Sequence, residues 1–505
     1  MATKENSTKK LTLISLVLMI FASVFGFPNM PRAFFLMGYG AIPWYMLSAL
    51  TFFIPYAFMM AEYGSAFKDE KGGIYTWMRK SIGPKYAFVG VFMWYASYIV
   101  WMVGTSSIIW IPLSNAIFGS DTTSSWALFG LKSTQVIGIL GILWMALITF
   151  IATKGLEKIK KITSIAGTAV AVLNVFLLIG SLLVLILNKG NLAQPIEGLH
   201  SFISSPNSSY GSPVAMLSFV VFAIFAFGGI EVVGGLVDET ENAAKNFPKG
   251  IITAALIISI GYSLGIFACG IFTNWTGILS GKDVHMGNVA YILMKNLGVS
   301  LGLAMGTTTE TALVIGSWVA RFVGFSMFLA FTGTFFTLAF APLKQLIEGT
   351  PKELWPAKMT KVKDGIPKNA LIIQCVIVIL MIMLVSFGGD EAAKFFSRLQ
   401  LMTNVAMTLP NLFIAGAFIA FKNNDNIKKT FVMFKTKTKA KIATCSVLIT
   451  VGFANIFTII EPWYTKGDIS STIWMIAGPL CFTVVALIVY NRAEKKQNIN
   501  NEEAA

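Results

Sequence analysis

Apolar runs long enough to cross a lipid bilayer recur from one end of this chain to the other, and that leaves one class of fold open. A helix needs about 20 such residues to span a hydrocarbon core about 30 Å thick. The runs lie near 11–37, 42–62, 86–113, 135–153, 162–187, 214–237, 250–272, 311–342, 369–386, 399–421, 440–460 and 470–490. Only 12% of the residues are charged and 55% are hydrophobic, about half the charge that a soluble chain carries. Too little of the chain is polar to cover a surface that faces water, so the apolar excess faces lipid. The spacing predicts an all-α integral membrane protein of about 12 transmembrane helices.

A net charge of +15 could suit a nucleic acid, but its distribution argues against that partner. Thirty of the 39 Lys and Arg fall in the two tails and in alternate loops, 63–85, 154–161, 238–249, 343–368 and 422–439, with Lys441 at the edge of the last. Positive loops stay in the cytoplasm, so both termini are predicted inside. A count wrong by one helix would scramble that alternation. Topology and attraction to anionic lipid are enough to explain the basic loops. The first run follows Lys4, Lys9 and Lys10 with no small-residue cleavage site, and reads as a spanning helix rather than a signal peptide. Residues 1–10 and 491–505 are expected as cytoplasmic tails around a single transmembrane domain over 11–490.

Cys269, Cys375, Cys445 and Cys481 lie far apart within apolar runs, and His200 and His285 fall in polar loops, so no metal or cofactor is expected. The signatures HExxH and GxxxxGK[ST] are absent, which argues against a metallohydrolase enzyme and against an ATP-driven pump.

Two spans contain what a plain lipid-facing helix would not need. Gly26-Phe27-Pro28-Asn29-Met30-Pro31 interrupts the first. Its two prolines lack amide protons and clash with the preceding turn, so the helix should open near 24–29. Phe227-Gly228-Gly229-Ile230-Glu231 interrupts the sixth. Glycine pairs also serve close helix packing, which is the plainer explanation of either break alone. Their placement adds to the case: the first and sixth spans open two successive groups of five helices of opposite orientation. Discontinuous helices in matching positions of inverted repeats form substrate sites, and opened backbone at membrane depth is tolerated where it lines a cavity.

Glu231 is the one carboxylate deep within a span. An ionised group there costs roughly 2.5–3.5 kcal/mol on insertion scales, so it pairs, meets water or keeps its proton. It is a candidate for proton coupling, beside the plainer role of bonding loose backbone. Arg32 follows the first break and is a candidate vestibule charge, although arginine also snorkels to interfaces. Tyr98 and Trp101 are the mid-span members of an aromatic-rich third span that could line a cavity.

Further motifs carry a family resemblance. Gly72-Gly73-Ile74-Tyr75-Thr76-Trp77 with Gly83-Pro84, then Gly229-Ile230-Glu231, Asn246-Phe247-Pro248, and Leu354-Trp355-Pro356 with Gly365-Ile366-Pro367 stand in order along the chain. In these the chain resembles the amino acid–polyamine–organocation (APC) superfamily, and within it the glutamate/GABA antiporter family, including its YjeM-type inner-membrane transporters. The resemblance implies a LeuT-like fold of 5+5 inverted repeats (about 11–187 and 214–421) plus two extra helices (about 440–490), with helices one and six broken. It implies a bacterial inner membrane and exchange of amino acids or related amines by alternating access.

By position it implies that Ser23, Gly26 and Asn29 belong to the opened part of helix one. Phe225 would be the aromatic that closes over substrate, Gly228 and Gly229 the helix-six break, and Glu231 a proton-responsive group. An aromatic at Phe335 or Phe336 would gate from helix eight. Two features depart from the family: Val24-Phe25-Gly26 stands where many members have a G-S-G-type turn, and the helix-five lysine of proton-coupled relatives is not evident, the mid-span polar residue being Asn174.

The expected partners are a small-molecule substrate and the bilayer, with oligomeric state left open. A proton- or sodium-coupled symporter on the same fold is the alternative to an exchanger. A channel, receptor or embedded enzyme fits less well.

Overall fold

A computed structural model describes residues 10–363 and 365–503. It is all helical, with no strands among the described residues. The first expected span divides into α1 (Leu13–Val24) and α2 (Asn29–Met37); α3 (Ala41–Ser48) and α4 (Ile54–Ala66) make the second. A π-helical turn over Ala49–Phe53 joins α3 to α4, directly before Pro55, whose missing N–H leaves a carbonyl one turn back without its usual partner. α5 (Gly73–Ser81), α6 (Pro84–Ile108) and α7 (Trp110–Phe118) follow, then α8 (Ser133–Ala152), α9 (Leu156–Leu187) and the short α10 (His200–Ile203).

The sixth expected span is α11 (Pro213–Phe225) and, after a break, a 3-10 segment over Ile230–Leu236. The remainder is α12 (Ala243–Phe272), α13 (Trp275–Leu279), α14 (Val289–Ala304), α15 (Thr309–Gly349), α16 (Lys368–Phe387), α17 (Gly389–Ala406), α18 (Leu409–Asn423), α19 (Lys437–Lys466) and α20 (Ile469–Glu503).

Eleven helical segments among the described residues are long and apolar enough to cross a membrane. The first, Leu13–Ala66, has 54 residues, about 80 Å of helix at 1.5 Å per residue. That is far more than one crossing needs, and the backbone breaks within it at Gly38, whose φ is +58°. It therefore accounts for two of the expected spans, and the total agrees with about twelve. Apolar side chains such as Leu143, Phe150, Ile449 and Leu480 point outward, the reverse of a protein built for water. Cys269 and Cys375 are buried, whereas Cys445 and Cys481 are exposed on α19 and α20.

Several boundaries differ from expectation. α15 runs on past residue 342 to Gly349, so Lys344 and Gln345, expected in a loop, are helical and buried. The span expected at 399–421 is two helices that meet at Met407-Thr408 and begin at Gly389. α20 continues through the tail expected from 491 as far as Glu503. The tail expected over 1–10 lies outside the described residues apart from Lys10. Glu62, expected at a span end, is fully buried. It accepts from Lys422 Nζ at 2.8 Å and from the amides of Met433 and Phe434 at 2.8 and 2.7 Å.

Candidate functional site

Both helix breaks form, and they face each other. In the first, α1 stops at Val24 and α2 starts at Asn29, because Pro28 and Pro31 cannot supply amides to the turn before them. In the second, α11 stops at Phe225 and Gly229 takes φ +111°, a conformation that strongly favours glycine. A β-carbon on Gly229 would meet the Ser23 carbonyl oxygen at 2.8 Å. The close approach of the two opened backbones therefore depends on Gly229.

Tyr262 of α12 joins the two breaks. Its hydroxyl accepts from the Gly26 amide at 3.1 Å and from Asn29 Nδ2 at 3.2 Å. Its single proton is within reach of the Val24 carbonyl at 3.0 Å and the Ala226 carbonyl at 3.1 Å. Groups freed by unwinding need partners at membrane depth, and one phenol lies within reach of three of them and of the Asn29 side chain. Phe227 packs against the same ring and stacks on Phe53 with centroids 4.7 Å apart.

On the other side of the breaks is a cavity of about 550 Å³. Seven of the residues singled out from sequence line it: Ser23, Tyr98, Trp101, Phe225, Gly228, Gly229 and Glu231. From the breaks it follows α6 through Gly104 and Thr105 to Ile108. Glu231, 4% exposed, accepts from the Gly229 amide at 3.2 Å and from Trp94 Nε1 at 3.4 Å. No lysine or arginine is among the lining residues.

Three expectations need correction. Gly26 and Asn29 do not line this cavity; their polar groups are turned to Tyr262, behind the break. Arg32 does not reach it either, since its Nε donates to the Met286 carbonyl at 2.8 Å in the segment that leads into α14. Phe335 and Phe336 are buried in packing, Phe335 against Trp101, while α15 presents Thr334 and Leu338 to the cavity.

Sequence reasoning missed the opposite wall. Gln400, Thr403, Asn404, Met407, Thr408 and Asn411 line it from α17 and α18, and Asn411 Oδ1 accepts from the Tyr56 hydroxyl at 3.0 Å. The signal was there: Pro410, between Leu409 and Asn411 and two residues after Thr408, interrupts that span much as Pro28 interrupts the first.

Beyond Glu231, over 232–235, the chain packs closely against α5 and α15. Gln345 accepts from the Ile74 amide at 2.9 Å and donates to the Val232 carbonyl at 3.0 Å, linking α5, the 3-10 segment and α15. The Gly72-Gly73 pair serves this contact. Both have positive φ, and a β-carbon on Gly73 would meet the Gly234 backbone at 2.7 Å. Beneath, Lys344, 2% exposed, lies 3.2 Å from both Asp238 and Glu239 carboxylates. Lys160 lies 3.6 Å from Glu239. Leu11 pairs with the same strip through its amide to the Glu239 carbonyl at 2.7 Å and its carbonyl to the Glu241 amide at 2.8 Å.

The amino acid permease family model matches residues 11–488. The chain is 54% identical over 501 residues, 99% of each protein, to the inner membrane transporter YjeM of Salmonella typhimurium. It is 27% identical over 441 residues to the aspartate/glutamate permease AcaP of Lactococcus lactis subsp. cremoris, covering 86% of this chain and 85% of that one. With a glutamate/gamma-aminobutyrate antiporter of Lactococcus lactis subsp. lactis it shares 24% identity over 470 residues, 91% of this chain and 86% of the relative. With its helical architecture, broken first and sixth spans and matching family model, the chain belongs to the amino acid permease family of membrane transporters and is not an enzyme.

Proposed function

We propose that the cavity at the two breaks binds a small amino acid or related amine, and that the protein exchanges such solutes across a bacterial inner membrane by alternating access. The observation that carries this reading is the juxtaposition of the opened backbones at Ser23 and Gly229 with the buried carboxylate of Glu231 on one cavity. Opened helices supply amides to an anionic group and carbonyls to an ammonium. Ser23, Tyr98, Trp101, Phe225, Gly228 and Gly229 are the contacts we assign to substrate, with Gln400, Thr403 and Asn404 facing them.

The lining carries one carboxylate and no cationic side chain, which favours a neutral amino acid or an amine over a dicarboxylic solute. AcaP and the antiporter carry glutamate in their names, so acidic solutes belong in the same test. Positive loops stay in the cytoplasm, so the Lys344 network closes the cytoplasmic side and the cavity opens outward along α6. Five-plus-five inverted repeats, about 11–187 and 214–421, account for the matching breaks.

Purified protein in liposomes, offered labelled neutral, acidic and amine solutes with and without preloaded counter-substrate, tests the reading. Uptake that requires internal solute is the expected result. Uptake driven by an imposed proton or sodium gradient into empty vesicles would make the protein a symporter. Uptake of none of these solutes would overturn the substrate class.

A further inference from the structure

Between α1 and α9, on the face that carries Lys10, lies a second recess of about 460 Å³ with Lys10, Lys158, Lys160 and Lys161 on its rim against the single carboxylate of Glu157. Lys160 turns inward to Glu239. Lys10, Lys158 and Lys161 are exposed. Lys158 and Lys161 stand three residues apart on α9, where like charges are neighbours and repel. Three ammonium groups around one concavity are unfavourable unless an anion enters it.

This recess does not end at the lysines. Lys161 and Ser164 also form the head of a groove between α9 and α15, of similar volume, that continues past Ile165 and Val172 on one side and Phe322 and Phe325 on the other. Those four side chains are all exposed and apolar. From Lys161 to Val172 the groove follows eleven residues of helix, about 16 Å at 1.5 Å per residue, close to half the hydrocarbon thickness of a bilayer, about 15 Å. A cationic recess at the interface that opens into an apolar channel one leaflet deep has the shape of one amphiphile.

We propose that the recess and groove together hold one anionic phospholipid, its phosphate among Lys10, Lys158 and Lys161 and an acyl chain along α9 and α15. Basic pockets between helices on the cytoplasmic side bind anionic headgroups in this manner. The site depends on the protein being embedded in a membrane and not on which solute it carries, so it stands or falls separately from the transport reading.

Full-length protein in detergent is incubated with phosphatidylglycerol or with phosphatidylcholine of the same acyl chains, and retained lipid is counted by native mass spectrometry. Phosphatidylglycerol is expected to be retained at least about fivefold better. Lys10→Gln/Lys158→Gln/Lys161→Gln is expected to lower its retention about tenfold or more. Lys428→Gln/Lys435→Gln/Lys437→Gln, which removes equal charge elsewhere, should leave retention unchanged. Ile165→Trp/Val172→Trp, which fills the groove, should lower it as well. Equal retention by the first triple variant, or an equal loss in the control, overturns the site. Displacement of phosphatidylglycerol by millimolar inorganic phosphate assigns the recess to a soluble anion and overturns the lipid, as does retention unaltered by filling the groove. All four proteins must elute as single species for the comparison, and the altered side chains, exposed or partly so, favour that.

Discussion

The Tyr262 hydroxyl lies 3.1 Å from the Gly26 amide nitrogen, so the donor released where the first helix opens is satisfied by a side chain of α12. With Ala226 at the same distance on its other side, this phenol fastens the two broken helices to one scaffold. Tyr262→Phe keeps the ring packing but takes the hydroxyl from the Ala226 carbonyl and the Asn29 side-chain amide, leaving the Gly26 amide with the Val24 carbonyl at 2.9 Å. An unsatisfied buried polar group costs about 1–3 kcal/mol, and a lower thermal midpoint in detergent is expected. An unaltered midpoint would mean that water replaces the hydroxyl.

Gly229→Ala should do more. The added methyl meets the Ser23 carbonyl oxygen and the residue must hold a positive φ, a strain of about 1–3 kcal/mol. Relief requires the breaks to separate, which removes the proposed substrate cradle. Loss of solute binding with α-helical content retained is the expected pair of results, read by scintillation proximity and circular dichroism.

At Glu231, Gln keeps the size and one acceptor oxygen for the Gly229 amide but cannot exchange a proton. If this carboxyl couples protonation to transport, uptake by Glu231→Gln in proteoliposomes should lose its dependence on external pH while some transport persists. A pH profile that matches the parent's would reduce Glu231 to a brace for the break.

Beneath the cavity, Lys344→Met leaves Asp238 and Glu239 facing each other without their shared cation. Removing one member of a buried ion pair costs about 3–5 kcal/mol, and a markedly lower thermal midpoint is expected. The pH dependence has a definite sign. Burial alone would raise the Glu239 carboxyl, but Lys344 and then Lys160 outweigh it and hold it below the ordinary carboxylate range. A depressed folded pKa means that the stabilisation is complete above the unfolded value, about 4.3, and vanishes as pH falls through the folded value. The midpoint gap between parent and Glu239→Gln should therefore stay level from about pH 7 to about pH 5 and close under stronger acid.

What could be read in advance was local. Pro28, Pro31, Gly228 and Gly229 act on their own backbone, so both breaks were legible from a few adjacent letters. Glu231 was legible because a lone carboxylate in an apolar run has few places to go. Tyr262 gave no such sign: an aromatic in an apolar helix is ordinary, and its importance comes from residues 236 positions away. Gln345 and Lys344 looked like loop because polar residues end a hydropathy run, yet their partners at Val232, Asp238 and Glu239 let the helix carry them inside. Pro410 did carry a local signal, and the wall formed by α17 and α18 could have been found from it.

The length of α15 has a mechanical consequence. Its 41 residues, with Pro342 inside the helix, follow about 60 Å of helix path, roughly twice the thickness of the oily layer it crosses. Thr334 touches the cavity and Lys344 lies ten residues further along, an arm of about 15 Å. Rocking that arm by about 10° about Thr334 would sweep the ammonium through nearly 3 Å, as far as the contacts that hold it are long. A small tilt prompted by cargo at one end would thus be geared up into unlatching at the other.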